Sequence, residues 1–319
     1  MGGRNLAGFY SALSASLVLF LLMAVGYGMG ALGWMTATEK RFISKYIINI
    51  AVPCNCISGL LNNLDHDSLA QAGIMLVSAV LGVAVTLALS LVLVRLLRLP
   101  RERQGVFVSM AAFSNVLFIG IPVCTQLFGE ACMPYVMVYY LANTSFVQSA
   151  GLILIERSGT AAPRVSSPAD FVRDLCKKPP ILAVVFSLVL LAVDLTLPQP
   201  IMRFAGYIAD SVSPLALIYC GYIIYELGLR NVRLMRGLPA MMVVRLGVSP
   251  AICWLFCHFF GIEGLAMQVF VVESALPVVS QVTVLAGAFG ADERYAATGA
   301  CLSTLGSFIT IPVLMLVLG

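Results

Sequence analysis

The stretch 113-Phe-Ser-Asn-Val-Leu-Phe-Ile-Gly-Ile-Pro-Val-123 is apolar enough to sit inside a bilayer, yet it holds Ser114, Asn115, Gly120 and Pro122 together. A proline within a helix lacks an N–H and clashes with the carbonyl four residues earlier, here that of Phe118. The spacing therefore predicts a helix that opens at this point. Gly120, with no Cβ, lets the opened backbone take unusual angles, and Pro122 suits the first turn of a new half-helix. A helix broken at membrane depth is tolerated only where protein, water or a ligand meets the freed groups. A half-helix starting near Pro122 would aim N–H groups and a partial positive charge at the gap. That arrangement suits an anion.

The rest of the chain has the composition such a helix needs. Of 319 residues, 60% are hydrophobic and 11% charged, with a mean hydropathy of +0.98; soluble domains carry about 25% charged residues. This is the profile of an all-α polytopic protein whose outer surface meets the lipid bilayer. The net charge of +4 comes from basic residues in the connections between apolar runs, so it carries no sign of nucleic-acid binding. Nine cysteines are scattered, most of them inside apolar segments, which argues against a disulfide framework. Cys253, Cys257 and His258 have no second ligand set to complete a metal site. The apolar run from Ala12 to Leu32 exceeds the ~7–15 residues of a signal h-region and reads as a first transmembrane helix. No GxxxxGK[ST], HExxH, GxSxG or paired CxxC occurs, so the chain is expected to be neither an enzyme nor the holder of a cofactor.

Ten segments reach the ~20 apolar residues of a spanning helix: 10–32, 42–61, 69–97, 105–128, 132–155, 180–197, 201–227, 238–260, 264–289 and 294–318. Lys and Arg gather in the connections after segments 1, 3, 5 and 7, whereas those after 2, 4 and 8 hold acidic residues without Lys or Arg. This alternation predicts both termini outside and the 157–178 connection in the cytoplasm. That connection has linker composition and divides the chain into halves of five segments, 1–156 and 179–319. A shift of 161 residues lays Tyr46-Ile47 on Tyr207-Ile208, Pro53 on Pro214 and Phe128-Gly129 on Phe289-Gly290. An odd number of helices per half makes the two repeats inverted, as in many secondary transporters. Pro122 and Pro277 do not coincide under this shift.

Pro53, Pro122, Pro214 and Pro277 are expected to interrupt segments 2, 4, 7 and 9, freeing carbonyls at Asn49, Phe118, Asp210 and Glu273. Paired interruptions in two halves point to a binding region. Asp210, Arg245 and Glu273 count to bilayer depth, where ionisable groups are functional candidates by default. Arg245 and Glu273 lie at similar depth on consecutive segments, either as a structural pair or as parts of the site. Glu273 and Asp210 are also the candidates for proton handling. Asn115 is the leading binding residue, because a neutral amide at an opened helix can donate to a carboxylate. Ser114 and Gln281 are further lining candidates, with Thr283 beside them. Asn143, Thr144, Ser145 and Gln148 are read as hydrogen-bonding glue between helices.

The run Phe113 to Pro122, followed by Leu127-Phe-Gly129, Ala275-Leu-Pro277 and Phe289-Gly290, resembles the auxin efflux carrier family, part of the bile-acid/arsenite/riboflavin transporter superfamily. The likeness covers essentially the whole chain. It implies ten helices in two inverted repeats of five, with broken, crossing helices 4 and 9. Helices 1, 2, 6 and 7 would form a scaffold, and helices 3–5 and 8–10 a domain moving like an elevator. Asn115 and the backbone near Gly120, Pro122 and Pro277 would bind a small organic anion, a mono- or dicarboxylate such as malonate or malate. A homodimer in a bacterial inner membrane is implied as well. The central connection is far shorter than in the long-loop plant members, which favours the bacterial type. Proton or sodium coupling stays open, with a sodium-coupled symporter of the bile-acid type as the rival.

Overall fold

The computed structural model describes residues 17–18, 20–63, 68–160, 179–193, 195–228 and 234–318. Most of the 157–178 connection and the start of the first predicted segment lie outside them. Every element among the described residues is helical, apart from one isolated β-bridge. The chain opens with α1 (Phe20–Ala31). Next come α2 (Ala37–Tyr46) and α3 (Val52–Asn63), joined by a π-helical turn, and then α4 (Ser68–Leu96). The quoted stretch separates α5 (Arg101–Ala112) from α6 (Ile121–Phe128), and α7 (Met133–Phe146) runs through another π turn into α8 (Leu152–Ser158). The second half holds α9 (Pro179–Ala192), α10 (Gln199–Ala209), α11 (Val212–Leu227), α12 (Leu238–Val243) and α13 (Ser249–Phe259). It closes with α14 (Gly264–Ser274), α15 (Gln281–Phe289) and α16 (Glu293–Leu318).

Among the described residues, five stretches are long and apolar enough to cross a membrane: Ala72–Leu96, Glu130–Ser158, Gln199–Glu226, Leu238–Phe259 and Glu293–Leu318. Exposed Leu, Val, Ile and Phe side chains cover their outer faces, the surface expected toward lipid. Without a hydrophobic drive between helices in lipid, close packing has to hold them. α1 and α11 show how close: a Cβ on Gly26 would lie 1.9 Å from the carbonyl oxygen of Ile218, and one on Gly221 1.9 Å from that of Met23. The Gly26-x-x-x-Gly30 pattern is thus a packing face, with Gly30 seated on the Tyr225 ring.

The prolines act differently from expectation. Pro53, Pro122 and Pro250 each follow a π-helical turn by two residues: Ile47–Ala51, Val116–Gly120 and Val244–Val248. The carbonyls each proline would strike, those of Asn49, Phe118 and Leu246, all lie in the widened turn. The wider i→i+5 spiral carries the proline without ending the helix. So the helix through Asn49 and Pro53 is bulged, not broken, and Pro122 does not start a half-helix. In the second half, Pro214 does follow a break, the turn at Asp210 and Ser211 between α10 and α11. Pro277 lies inside one, between α14 and α15.

Candidate functional site

The opening in the fourth segment lies at Phe113–Asn115, where the backbone turns extended at Phe113 (φ −115°, ψ 130°) and the helix resumes at Val116. Asn115 is the N-cap of the resumed helix, and its Oδ1 accepts from the Phe118 N–H at 3.4 Å. An Asn at this position satisfies one of the four donors a helix start leaves free. The helices on either side of the two openings end at similar spacings: Ala112 of α5 and Ser274 of α14 are 162 residues apart, and Phe128 of α6 and Phe289 of α15 are 161 apart. The openings overlap under the 161-residue shift although the prolines do not coincide, because only Pro277 lies inside its gap.

The two gaps meet. Ser114 and Val278 form an antiparallel bridge, with Asn115 N–H donating to the Pro277 carbonyl at 2.9 Å and Val279 N–H to that of Phe113 at 3.3 Å. Asn115 Nδ2 donates to Ser280 Oγ at 2.9 Å. Side chains from flanking helices hold the remaining backbone groups. Asn143 of α7 accepts from Ser114 N–H at 3.2 Å and donates to its carbonyl at 2.9 Å. Ser303 of α16 accepts from Val278 N–H at 3.0 Å. Buried backbone groups demand such partners, so these contacts fix the crossing.

Behind the crossing, α5 and α14 end side by side, and helix C-termini carry partial negative charge. Arg245, fully buried, answers both ends. It donates to the Ala111 carbonyl at 3.4 Å, to the Ser274 carbonyl and to Ser249 Oγ at 2.8 Å. Arg245 and Glu273 therefore do not pair: the carbonyls at the helix ends take up the guanidinium. Glu273, also fully buried, accepts from Cys124 Sγ at 3.3 Å through Oε1, while Oε2 has no hydrogen-bond partner among the described residues. Its carboxyl rests on Gly120, where a Cβ would come within 2.4 Å of Oε2. Gly120 thus serves close packing. Its backbone is plainly helical (φ −64°, ψ −52°) and uses no glycine freedom.

In front of the crossing is a cavity of about 510 Å³. The first turns after both openings line it, through Val116, Leu117 and Phe118 on one side and Val279, Ser280 and Gln281 on the other. Asn115, Ser114 and Asn49 line it too, so four of the expected residues share one wall system. Its remaining polar lining comes from Ser44, Asn143, Thr144 and the tyrosines Tyr140 and Tyr219, and among the described residues no charged side chain borders it. Phe118 and Tyr219 stack across its edge, with ring centroids 4.9 Å apart at 19°. Pro122, Pro277, Gly120, Glu273 and Arg245 lie outside this lining, as do Pro53 and Pro214. Asp210, expected to be buried, is exposed. α10 buries only Ala205, and the turn at Asp210 opens toward a different cavity.

Ser280 and Tyr219 are absent from the sequence-based candidates, and Asn143 appears there only as hydrogen-bonding glue between helices. A signal existed for two of them. Ser280 is polar in an apolar stretch three residues after Pro277, and Asn143 falls on the Ser303–Thr304 pair under the shift.

Known proteins bear on the geometry. The chain matches the family described as Membrane transport protein over residues 11–315. A relative described as an uncharacterized transporter of Methanocaldococcus jannaschii is 22% identical, over 92% of this chain and 95% of its own length. Another uncharacterized transporter, from Methanothermobacter thermautotrophicus, is 24% identical over 97% and 99%. A Rhizobium meliloti protein named "Putative malonate transporter" is 21% identical over 91% and 92%. With apolar helices throughout, two openings that cross and a match over nearly its whole length, the chain belongs to this family of integral membrane transport proteins, the auxin efflux carrier family that its sequence resembles.

Proposed function

We propose that the protein is a secondary-active or facilitated carrier of small organic anions, mono- or dicarboxylates, bound where the two opened helices cross. The observation that carries this reading is the polarity of the crossing. Two helix starts and the Asn115 carboxamide border a cavity of about 510 Å³ whose described lining is neutral, while the C-terminal ends of the preceding helices are turned to Arg245. Helix starts attract anions without a fixed positive charge. A neutral cage lets the site stand empty at little cost, which a carrier needs in order to return unloaded. The Rhizobium relative's printed name, which speaks of malonate, agrees with a carboxylate cargo.

On this reading the ten segments form two inverted five-helix repeats. The site is exposed alternately by an elevator-type movement of the domain from segments 3–5 and 8–10 against the scaffold from 1, 2, 6 and 7. The stacked Phe118–Tyr219 pair joins the two domains and would part as they slide. Glu273, buried with one oxygen unpartnered, handles the coupling proton. The protein works as a homodimer in the inner (plasma) membrane with both termini outside. Uptake of radiolabelled malonate, malate, lactate and indole acetate into proteoliposomes tests the reading. One of these should saturate and be competed by the others without a sodium gradient. Uptake that needs sodium would instead favour the bile-acid type of symport, and no uptake of any would contradict the carboxylate class.

A further inference from the structure

Two cavities lie toward opposite ends of the same segments. Asn49, Phe118, Thr144 and Tyr219, from segments 2, 4, 5 and 7, line the cavity at the crossing, and Pro179 borders it where the chain returns from the 157–178 connection. A second cavity, of about 280 Å³, is lined at the other ends of these segments by Asn62, Thr125 and Gly206 and, in the turn before α7, by Glu130. The two share no lining residue among the described ones. Between them α3 packs on α7. A Cβ on Gly59 would lie 2.7 Å from Met133 Cβ, and Cys56 Sγ donates to Met137 Sδ at 3.2 Å. Cys56, Met133 and Met137 are at most 1% exposed. Residues three or four apart share a helix face, so Cys56 with Gly59 and Met133 with Met137 close two faces on each other over a full turn. One turn further along α7 the contact ends: Tyr140, Asn143 and Thr144 line the cavity at the crossing, with Ser44 and the exposed Asn49 on its other side. Segments 2 and 5 are therefore zipped at one end and splayed at the other.

We propose that Cys56, Gly59, Met133 and Met137 are the gate that shuts the crossing off from the second cavity, and that the chain is here in the state whose site faces the 157–178 connection. This rests on the alternating exposure proposed above and adds which residues must part for the site to turn to the other face. The chemistry of the contact suits a gate. An apolar constriction blocks water and ions when closed. A thiol against a thioether is a weak contact, so no strong bond has to break when it opens, and the unbranched Met side chains can repack as the helices separate. Gly59 is what lets the gate close: a side chain there meets Met133 and fits only with the gate parted.

The test is labelling of the full chain by a membrane-impermeant maleimide, applied to either face of sealed membrane vesicles, with the modified cysteine identified by mass spectrometry. An epitope inserted in the 157–178 connection marks one face. Asn49→Cys should react from the marked face and not from the other. In the wild type Cys56 should be nearly inert from the opposite face, and Gly59→Leu, which forces the gate apart, should raise its rate there by roughly tenfold or more. With Gly59→Leu in the same chain, Asn49→Cys should lose most of its reactivity from the marked face, because the site has turned away. If Gly59→Leu does not fold, Met133→Ala with Met137→Ala thins the gate and should raise the Cys56 rate in the same way. One and the same Cys56 rate in the wild type and the folded variants overturns the gate. Reaction of Asn49→Cys from the face opposite the epitope, or its undiminished reaction beside Gly59→Leu, overturns the assigned state. The labelling needs no cargo, so failure of every carboxylate in uptake assays would strike the proposed cargo and leave these outcomes to decide the gate.

Discussion

Asn115 reaches across the gap between two opened helices and donates its Nδ2 to Ser280 Oγ at 2.9 Å, while its Oδ1 caps its own helix by accepting from Phe118 N–H. One carboxamide thus uses its donor on one half of the crossing and its acceptor on the other. The two roles can be separated by substitution.

Asn115→Asp keeps the acceptor and removes the donor, so the fold should survive while anion binding is lost to charge repulsion. Asn115→Ala should weaken anion binding by about 1.5–3 kcal/mol, the value of a hydrogen bond to a charged group, which reads as a rise of roughly tenfold to a hundredfold in the half-saturating concentration. Uptake kinetics beside thermal unfolding separate these outcomes. An Asn115→Asp protein with wild-type affinity would remove Asn115 from the site.

Arg245 holds the carbonyls of Ala111 and Ser274. Arg245→Met leaves two buried acceptors without a charged donor and should cost at least about 3 kcal/mol of stability, at ~1.5–3 kcal/mol each. Denaturation in detergent measures it. If Arg245 instead held the substrate, stability would be nearly unchanged and only affinity would fall.

Gly120→Ala places a Cβ within 2.4 Å of Glu273 Oε2 and 2.7 Å of Leu276 Cδ1. Overpacking of this kind costs about 1–3 kcal/mol. Glu273→Ala in the same chain should recover part of the loss, and a double-mutant cycle reads the coupling. Additive effects would show that the two do not touch in the working protein.

Glu273→Gln keeps volume and removes the proton site. It should flatten the pH dependence of uptake while leaving the protein folded. An unchanged pH profile would take proton handling away from Glu273.

How much of this was readable in the sequence depends on what each residue's role rests on. Membrane residence rests on composition, which needs no coordinates. The opening near Asn115 rests on polar residues inside an apolar run, and it too was visible. The restart of the helix, expected near Pro122 with proline as the breaker, lies six residues earlier, at Val116. A π turn absorbs the clash at Pro122, and no local propensity announces such a turn. The Arg245–Glu273 pairing failed for a different reason. Depth along two helices says how far in two side chains lie, but not which way they face, and two helix ends with partial negative charge were the nearer partners. Asp210 likewise counted to mid-bilayer, yet the turn it occupies opens to a cavity. Ser280 shows the converse: a single polar residue gains meaning only when a residue 165 positions away meets it.

The measurement that tests the central claim most directly is thermal stabilisation of wild-type and Asn115→Asp protein by a panel of carboxylates: malonate, malate, lactate, succinate and indole acetate. Stabilisation should rise with the logarithm of concentration for at least one of them, and Asn115→Asp should abolish that response while unfolding near the wild-type temperature without ligand. Equal stabilisation of both proteins, or none of the wild type by any carboxylate, would contradict an anion site at the crossing.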